Sequence, residues 1–468
     1  MSKAAPARLP LRSVLAFAFA YLPFAALTLA VAVQLPKFFA SSLGVGLAIG
    51  GLFGLVRLID IPVDPLLGLA MDRTRTPLGR YRPWMLVGAP ILMLALYELF
   101  QAQVGVGRWT IMVWLLVMYL GMSILLVAGN SWASTLAPTY QERSRIFGAM
   151  SALGVVGAAS VLLIPTVIAK HVGETQSVRV IGWFLTALVP VAVGITVLST
   201  PERLVHDAHG RRFTLRDYGA LLVRPNVLRL LLADLSVTLG PGWMAALYYF
   251  YWEASRQVSY AASSMLLLIY ILAGLAGAPA TAWLGNRIGK HRALIATTTL
   301  YSLFLMIIPL TPKGLSWPSF PIMFCLGSFA AGFVVMIRAI TADVGDEIRL
   351  ENGAQQMGLL YALTSATTKI AGAFSITFTF KVLDLVGYNP KPGAINGPDQ
   401  IHGLELAFIV GPIAFVMLGG ACFLGYKLTA ERHADIRRQL DERDALYEEA
   451  AVLQSVTGQP DGVATSAS

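Results

Sequence analysis

Long apolar runs separated by short polar segments dominate this chain. Twelve runs are each long enough for a membrane-spanning helix, which needs about 20 mainly apolar residues. The pattern therefore predicts an all-α membrane protein with twelve transmembrane helices. The predicted spans are 13–34, 43–70, 83–103, 109–137, 146–169, 180–199, 226–252, 261–285, 292–311, 318–343, 353–384 and 403–428.

The longest polar interior segment falls between the sixth and seventh spans. It divides the chain into a predicted N-terminal six-helix bundle (1–199), a cytoplasmic inter-bundle loop (200–225) and a C-terminal six-helix bundle (226–428). A charged tail (429–468) follows; its first part has a helical pattern and its Gly-, Ser-, Ala- and Thr-rich end is expected to be disordered. Similar Gly- and Arg-containing loops after the second and eighth spans suggest a duplicated unit, a feature of many secondary transporters.

Composition agrees with the membrane interpretation. Hydrophobic residues make up 56% of the chain and charged residues 13%, whereas soluble proteins average about 25% charged residues. Most of the 35 Lys and Arg residues lie in segments that face the cytoplasm if both termini do. The net charge of +9 is thus explained by topology, and we expect a multi-pass protein of the cell membrane that does not bind nucleic acid.

The second predicted span contains three charged residues: Arg57, Asp60 and Asp64. At helical spacing they would share one face. Charged groups in a lipid-spanning segment are costly unless they face a protein interior or water, so the trio is a candidate functional site. The alternative is a structural ion-pair cluster. Pro65 lies in the middle of this span and predicts a kink there.

Two carboxylates one helical turn apart suit a cation. Asp60 and Asp64 could supply hard oxygen ligands to sodium or hold a proton at a carboxylate of raised pKa. Lys369, in the eleventh span, is the expected counter-ion if the two spans meet; otherwise it would extend to an interface. We expect no cofactor, and no metal except a sodium ion at Asp60 and Asp64 if sodium is the coupling ion.

Polar and aromatic residues in two spans are candidates for substrate binding. Asn130 and Trp132 lie near the end of the fourth span, and Tyr361 and Thr368 lie in the eleventh. Hydrogen-bonding groups beside an aromatic ring suit a hydroxylated ring. For Trp132, packing is an equally good interpretation.

A charge-rich loop after the second span contains Asp72, Arg73 and Arg80, and Asp343 and Asp346 precede the eleventh span. We expect these residues to form charge networks that stabilise one access state at the cytoplasmic end. The alternative is that these charged residues only determine the membrane topology of the chain.

The second span and the loop after it resemble the glycoside–pentoside–hexuronide:cation symporters of the major facilitator superfamily. The residues that resemble this family are Asp60-x-x-x-Asp64-Pro65, Asp72-Arg73-Thr74-Arg75, Gly79-Arg80 and Arg82-Pro83-Trp84, with further matches at Glu142-Arg143, Ala342-Asp343 and Lys369. The resemblance covers essentially the whole chain. It implies two pseudo-symmetric six-helix bundles, a cation site at Asp60 and Asp64, and a position for Lys369 beside the cation and sugar sites.

The chain departs from this family in its cation site and in its sugar site. Sodium-using relatives have an Asn before the second Asp, where this chain has Val63, so the departure favours a proton. Melibiose-transporting members have acidic or Arg residues at positions near Leu22, Gly129 and Ser151, so a galactoside site built on those groups is absent here.

These observations predict a secondary symporter that couples a small organic solute, of glycoside or sugar type, to a proton or sodium by alternating access. A carrier of amphipathic or lipid-like solutes is the main alternative. A membrane-embedded enzyme would need a catalytic His, Ser or metal cluster that faces the cavity, and it is disfavoured because all six histidines lie in predicted loops. The expected partners are the solute and membrane lipid, and we expect a monomer.

Overall fold

The computed structural model describes residues 10–136, 140–200, 202, 219, 221–352, 357–391 and 393–457. Its secondary structure is helical apart from one isolated bridge between Thr76 and Gly79. The N-terminal half contains α1 (Leu11–Ala18), α2 (Tyr21–Leu29), α3 (Leu35–Lys37), α4 (Ile49–Asp60), α5 (Val63–Arg73), α6 (Arg82–Phe100), α7 (Arg108–Leu136), α8 (Tyr140–Val172) and α9 (Glu174–Ser199).

The C-terminal half has a matching series of long helices. They are α10 (Pro225–Phe250), α11 (Tyr260–Ile288), α12 (Lys290–Ile307), α13 (Ser319–Asn352), α14 (Met357–Val386) and α15 (Pro398–Ala421), and the tail forms α16 (Ala430–Thr457). The helical pattern of the tail is therefore confirmed, whereas its last residues and most of the 200–225 loop lie outside the described residues.

Ten helical stretches in the described part of the chain are long and apolar enough to cross a membrane. The two predicted spans outside this set are the second (α4 and α5) and the eleventh (α14). The second is divided into two helices of 12 and 11 residues, each too short to cross alone, and α14 contains Lys369. The predicted all-α architecture is confirmed, while the cytoplasmic location of the termini stays a prediction.

The first span extends further than predicted. Its helical structure runs from Leu11 to Ser42, with π-helical turns at Ala30–Gln34 and Phe38–Ser42, instead of ending at residue 34. The charged residue Lys37 lies just beyond the predicted end. In the fold its side chain is only 5% exposed and forms ion pairs, so the chain can remain helical past it.

The other large differences are at the ends of two helices. Helix α13 continues to Asn352, beyond the predicted end at residue 343, because its charged last turns extend past the apolar stretch. Helix α15 ends at Ala421 and not at residue 428; Gly425, with φ of +66°, lies in the turn that follows.

The second span is interrupted at Ile61 and Pro62, not at Pro65 as predicted. Pro62 has no backbone N–H to donate to Leu58, and α4 accordingly ends at Asp60. Helix α5 begins at Val63, so Pro65 lies in its first turn, where a backbone N–H has no partner within the helix. The interruption places Asp60 and Asp64 on two short helices instead of one continuous face.

Helices α4 and α14 approach each other closely through small residues. A Cβ atom at Gly50 would lie 2.6 Å from Cβ of Phe380, and one at Gly54 would lie 1.9 Å from Oγ1 of Thr377. Oγ1 of Thr377 also donates a hydrogen bond of 3.0 Å to the Gly50 carbonyl. Because these helices belong to different halves, this contact positions Asp60 opposite Lys369.

The two ends of the molecule are distinguished by the helix termini that lie at each. We call the end that holds the start of α1 and the end of α9 the terminal end; there the Thr196 hydroxyl donates to the Ala16 carbonyl at 3.1 Å. The other is the opposite end, where the first span finishes and α9 begins.

The close contact between α4 and α14 gives a stability prediction. We expect Gly50→Ala to lower the free energy of unfolding by about 1–3 kcal/mol, because the added methyl group overpacks against Phe380. Gly51→Ala is the matched control, since a Cβ there meets nothing within 4 Å. The apparent melting temperature in detergent measures both, and equal melting temperatures would contradict the packing argument.

Candidate functional site

One ammonium group joins the two halves in the middle of the molecule. The Nζ atom of Lys369 on α14 lies 3.0 Å from Oδ2 of Asp60 on α4 and 2.6 Å from Oδ2 of Asp64 on α5. The Asp60 side chain is 2% exposed and that of Lys369 is 14% exposed. The structure thus brings together the two predicted carboxylates and the predicted counter-ion, which lie some 300 residues apart in the chain.

Two further side chains, Arg57 and Ser123, contact Asp60 directly. Arg57 NH1 lies 3.3 Å from Oδ2 of Asp60, and its guanidinium stacks over the Tyr119 ring at 4.6 Å. The Ser123 hydroxyl donates to Oδ1 of Asp60 at 3.0 Å. Sequence reasoning missed Tyr119 and Ser123, because both lie in an apolar run on α7 with nothing to mark them. The resulting set, called here the carboxylate–lysine cluster, comprises Arg57, Asp60, Asp64 and Lys369 and has balanced charge.

Asp64 keeps one acceptor uncommitted. Its Oδ1 atom is buried and has no hydrogen-bond donor among the described residues. A buried acceptor without a donor costs free energy. This oxygen is therefore a chemically suitable place for a proton or for one bond to a metal cation.

A cavity of about 490 Å³ lies in the C-terminal half, and Thr368 in its wall directly precedes Lys369 in the chain. The cavity is lined by helices α10, α13 and α14 of the C-terminal half, and two predicted substrate residues, Tyr361 and Thr368, are among the lining residues. One wall is apolar, with Phe333, Val334 and Ile337, and the α14 wall carries hydroxyl groups.

Three consecutive residues of α14 connect the cavity with the carboxylate–lysine cluster. The Thr367 hydroxyl donates a hydrogen bond to Asp234, which lines the cavity, Thr368 lines the cavity itself, and Lys369 binds both carboxylates. Successive residues of an α-helix point about 100° apart, so one turn can face all three sites. Neither Asp234 nor Thr367 was among the predicted substrate residues.

The two predicted substrate residues on α7 have different environments. Asn130 is exposed, and its Oδ1 accepts a hydrogen bond of 2.7 Å from the Tyr21 hydroxyl. Trp132 is fully buried, with its ring centroid 5.5 Å from that of Phe17 in an edge-to-face contact. In this conformation Trp132 is a packing residue and offers no ring face to a ligand.

The residues predicted as a cytoplasmic gate lie at the terminal end. Arg80 donates to the Met71 carbonyl at 3.2 Å, and Arg73 is exposed at the end of α5. Asp343 pairs with Lys290 at 2.6 Å, and His433 of the tail helix lies 3.0 Å from Asp346. The Asp72 side chain lies outside the described part of the structure, so a gate that joins the two loops stays a prediction.

A second ion cluster lies at the opposite end, and sequence reasoning missed it. Lys37, at the end of α3, pairs with Glu174 at the start of α9 at 2.7 Å and also with Glu253 after α10. Its ammonium lies 5.4 Å from the Tyr249 ring centroid and 5.2 Å from that of Tyr260. Because Glu253 belongs to the C-terminal half, this Lys37 cluster ties the two halves together at that end.

Comparison with known proteins gives the family. The model of the family described as MFS/sugar transport protein matches residues 16–430. The isoprimeverose transporter of Lactiplantibacillus pentosus is 23% identical over 438 residues, which cover 90% of each chain. The glucuronide carrier protein homolog of Escherichia coli strain K12 is 22% identical over 89% of this chain and 93% of the relative.

A solved structure supports the fold alone. The crystal structure of the nucleoside transporter NupG superposes with a TM-score of 0.64 at 13% identity, covering 89% of this chain and 99% of that chain. The major facilitator architecture expected from the sequence is therefore confirmed, and so is the resemblance to the glycoside–pentoside–hexuronide:cation symporters. The chain belongs to the MFS/sugar transport protein family and is a multi-pass transporter of the cell membrane, not an enzyme.

Proposed function

We propose that this protein is a cation-coupled symporter of a small, sugar-type solute that works by alternating access. The observation that carries the proposal is the position of the Lys369 ammonium between Asp60 and Asp64, at the contact of the two halves. There the lysine occupies the place that a free cation would take between the same two carboxylates.

Cation binding would release this contact. A proton on either carboxylate, or a sodium ion between them, removes the charge that holds Lys369. The uncommitted Oδ1 of Asp64 gives the incoming cation a first ligand. Val63 supplies no side-chain oxygen beside it, which favours a proton over sodium.

Coupling to the solute would pass through α14. A change at Lys369 is transmitted to its neighbours Thr368, which lines the cavity, and Thr367, which holds Asp234. If cation binding changes solute affinity through this helix, solute binding must change cation affinity by the same factor. That reciprocity is what symport requires.

The Lys37 cluster suits alternating access. It joins the halves at the opposite end, and the carboxylate–lysine cluster joins them in the middle. To expose the cavity at the opposite end, the Lys37 contact with Glu253 would have to break. Removal of one partner from a buried ion pair costs about 3–5 kcal/mol, so this contact can hold one access state.

The sugar-type solute is supported by the relatives and by the cavity. Isoprimeverose and glucuronide name the solutes of the two relatives described above. In this chain the hydroxyl groups of Thr364, Ser365 and Thr368 on α14 supply hydrogen-bonding partners for a hydroxylated ring. The apolar wall formed by Phe333, Val334 and Ile337 keeps an amphipathic solute as the second candidate.

The carboxylates can be tested by transport in proteoliposomes. We expect Asp60→Asn/Asp64→Asn to abolish accumulation driven by an imposed proton or sodium gradient, because no carboxylate remains to bind the cation. The substrate panel would include isoprimeverose, glucuronides, neutral glycosides and lysolipids, so that it also separates the two solute classes.

Asp384→Asn is the matched control for this experiment. Asp384 lies on α14 but is exposed and pairs only with Lys381 among the described residues, so accumulation should stay at the wild-type level. If the double variant accumulates solute as steeply as wild type, the carboxylates are structural and the proposed coupling site is wrong.

The opposite end can be tested by chemical labelling. Gln34 is 1% exposed near the Lys37 cluster, so Gln34→Cys in a variant without Cys325 and Cys422 reports opening there. We expect Lys37→Gln to increase the labelling rate with a membrane-impermeant maleimide at least about tenfold, equivalent to ~1.4 kcal/mol. Without the lysine, Glu174 and Glu253 repel each other.

Lys381→Gln is the control, because Lys381 is an exposed lysine on α14, near the opposite end of the molecule. Its labelling rate should match that of the parent protein. An unchanged rate for Lys37→Gln would mean that the Lys37 cluster does not hold this end closed.

A further inference from the structure

Arg338 is a charged residue that the proposed transport cycle does not use. It lies within α13, lines the cavity and is exposed there. It forms no hydrogen bond or ion pair with any residue in the described part of the chain. Charged side chains in membrane-spanning segments are costly and are almost always paired or water-facing, so a guanidinium of this kind is available to a ligand.

The acid in the same cavity does not neutralise Arg338 by direct contact. Asp234 is 7% exposed and accepts a hydrogen bond from the Thr367 hydroxyl. Arg338 acts on Asp234 electrostatically, but the two form no ion pair. Its five N–H donors are therefore left for another acceptor.

The chemistry around Arg338 defines the ligand. A guanidinium binds the two oxygens of a carboxylate or phosphate in parallel, and such charge-assisted pairs are about twice as strong as neutral hydrogen bonds. Thr364, Ser365 and Thr368 on α14 provide hydroxyl partners for the rest of the solute. The cavity of about 490 Å³ has room for a monosaccharide derivative.

We propose that Arg338 is a specificity-determining residue that selects solutes bearing an oxyanion, a carboxylate or a phosphate group, over neutral ones. This inference rests on the proposed transport function, because it assigns the solute of the same cavity. Binding can nevertheless be measured apart from transport.

The test compares ligands that differ in one group. 4-Nitrophenyl glucuronide carries a carboxylate where 4-nitrophenyl glucoside carries a hydroxymethyl group, and 4-nitrophenyl glucoside 6-phosphate carries a phosphate ester on that hydroxymethyl group. We expect the purified wild-type protein to bind at least one of the two anions at least about tenfold more tightly than the neutral glucoside in calorimetry. The two arms show which oxyanion is preferred.

Variants of Arg338 locate the effect. Arg338→Gln should erase the preference and leave the affinity for the glucoside unchanged. Arg338→Lys keeps the positive charge but loses the forked guanidinium, so it should retain part of the preference for anions. Arg287→Gln is the control, because Arg287 stacks on the exposed Trp283 at 4.6 Å, outside the cavity, and should leave the preference intact. Size-exclusion profiles and melting temperatures check that each variant is folded.

The outcomes separate this inference from the transport function. Equal wild-type affinities for the glucuronide, the phosphate and the glucoside, or a preference that survives Arg338→Gln, would overturn the role of Arg338. Gradient-driven accumulation of a neutral glycoside could still be observed in that case, so symport would stand. Conversely, an anion preference that depends on Arg338, without accumulation of any solute under a gradient, would support the site and reject symport.

Discussion

The contact of one ammonium with two carboxylates is the interaction on which this structure depends. Lys369 comes from one half, and Asp60 and Asp64 come from the other. Left alone, either carboxylate or the ammonium would be a costly charge inside the membrane. Their pairing offsets this cost and joins α14 to α4 and α5. Any ligand that competes for these carboxylates must act on the contact between the halves.

Several backbone features serve that contact. The interruption at Pro62 lets Asp60 end one helix while Asp64 lies in the first turn of the next, so that both can reach one ammonium. Gly50 and Gly54 let α14 approach α4 closely enough for Lys369 to bind. A continuous series of contacts thus links the carboxylates through Lys369 and Thr367 to Asp234. Each of these contacts can be broken singly.

The part of the site that could be predicted from the sequence consists of charged residues that stand alone in apolar runs. Asp60, Asp64 and Lys369 lie in such runs. Pairing them with one another was the simplest way to offset the free-energy cost of charges inside the membrane. The buried position of Trp132 could not be predicted, because the sequence does not distinguish a ring that packs against Phe17 from a ring that contacts a ligand. The Lys37 cluster was not predicted, because the partners of Lys37, Glu174 and Glu253, are distant in sequence. Arg338 carried the same signal as Lys369, but only the structure shows that it has no partner among the described residues.

The charges inside the molecule suggest why partial loading would be disfavoured. The carboxylate–lysine cluster has two positive and two negative groups, and the cavity has Arg338 and Asp234, so the unloaded protein is balanced in both places. A bound monovalent cation alone leaves one positive charge in excess. A solute with one negative charge restores the balance, whereas a neutral solute does not. Because excess charge inside the membrane is costly, the unloaded and the doubly loaded protein would change conformation most easily, and the proposed oxyanion would then enforce coupling as well as specificity.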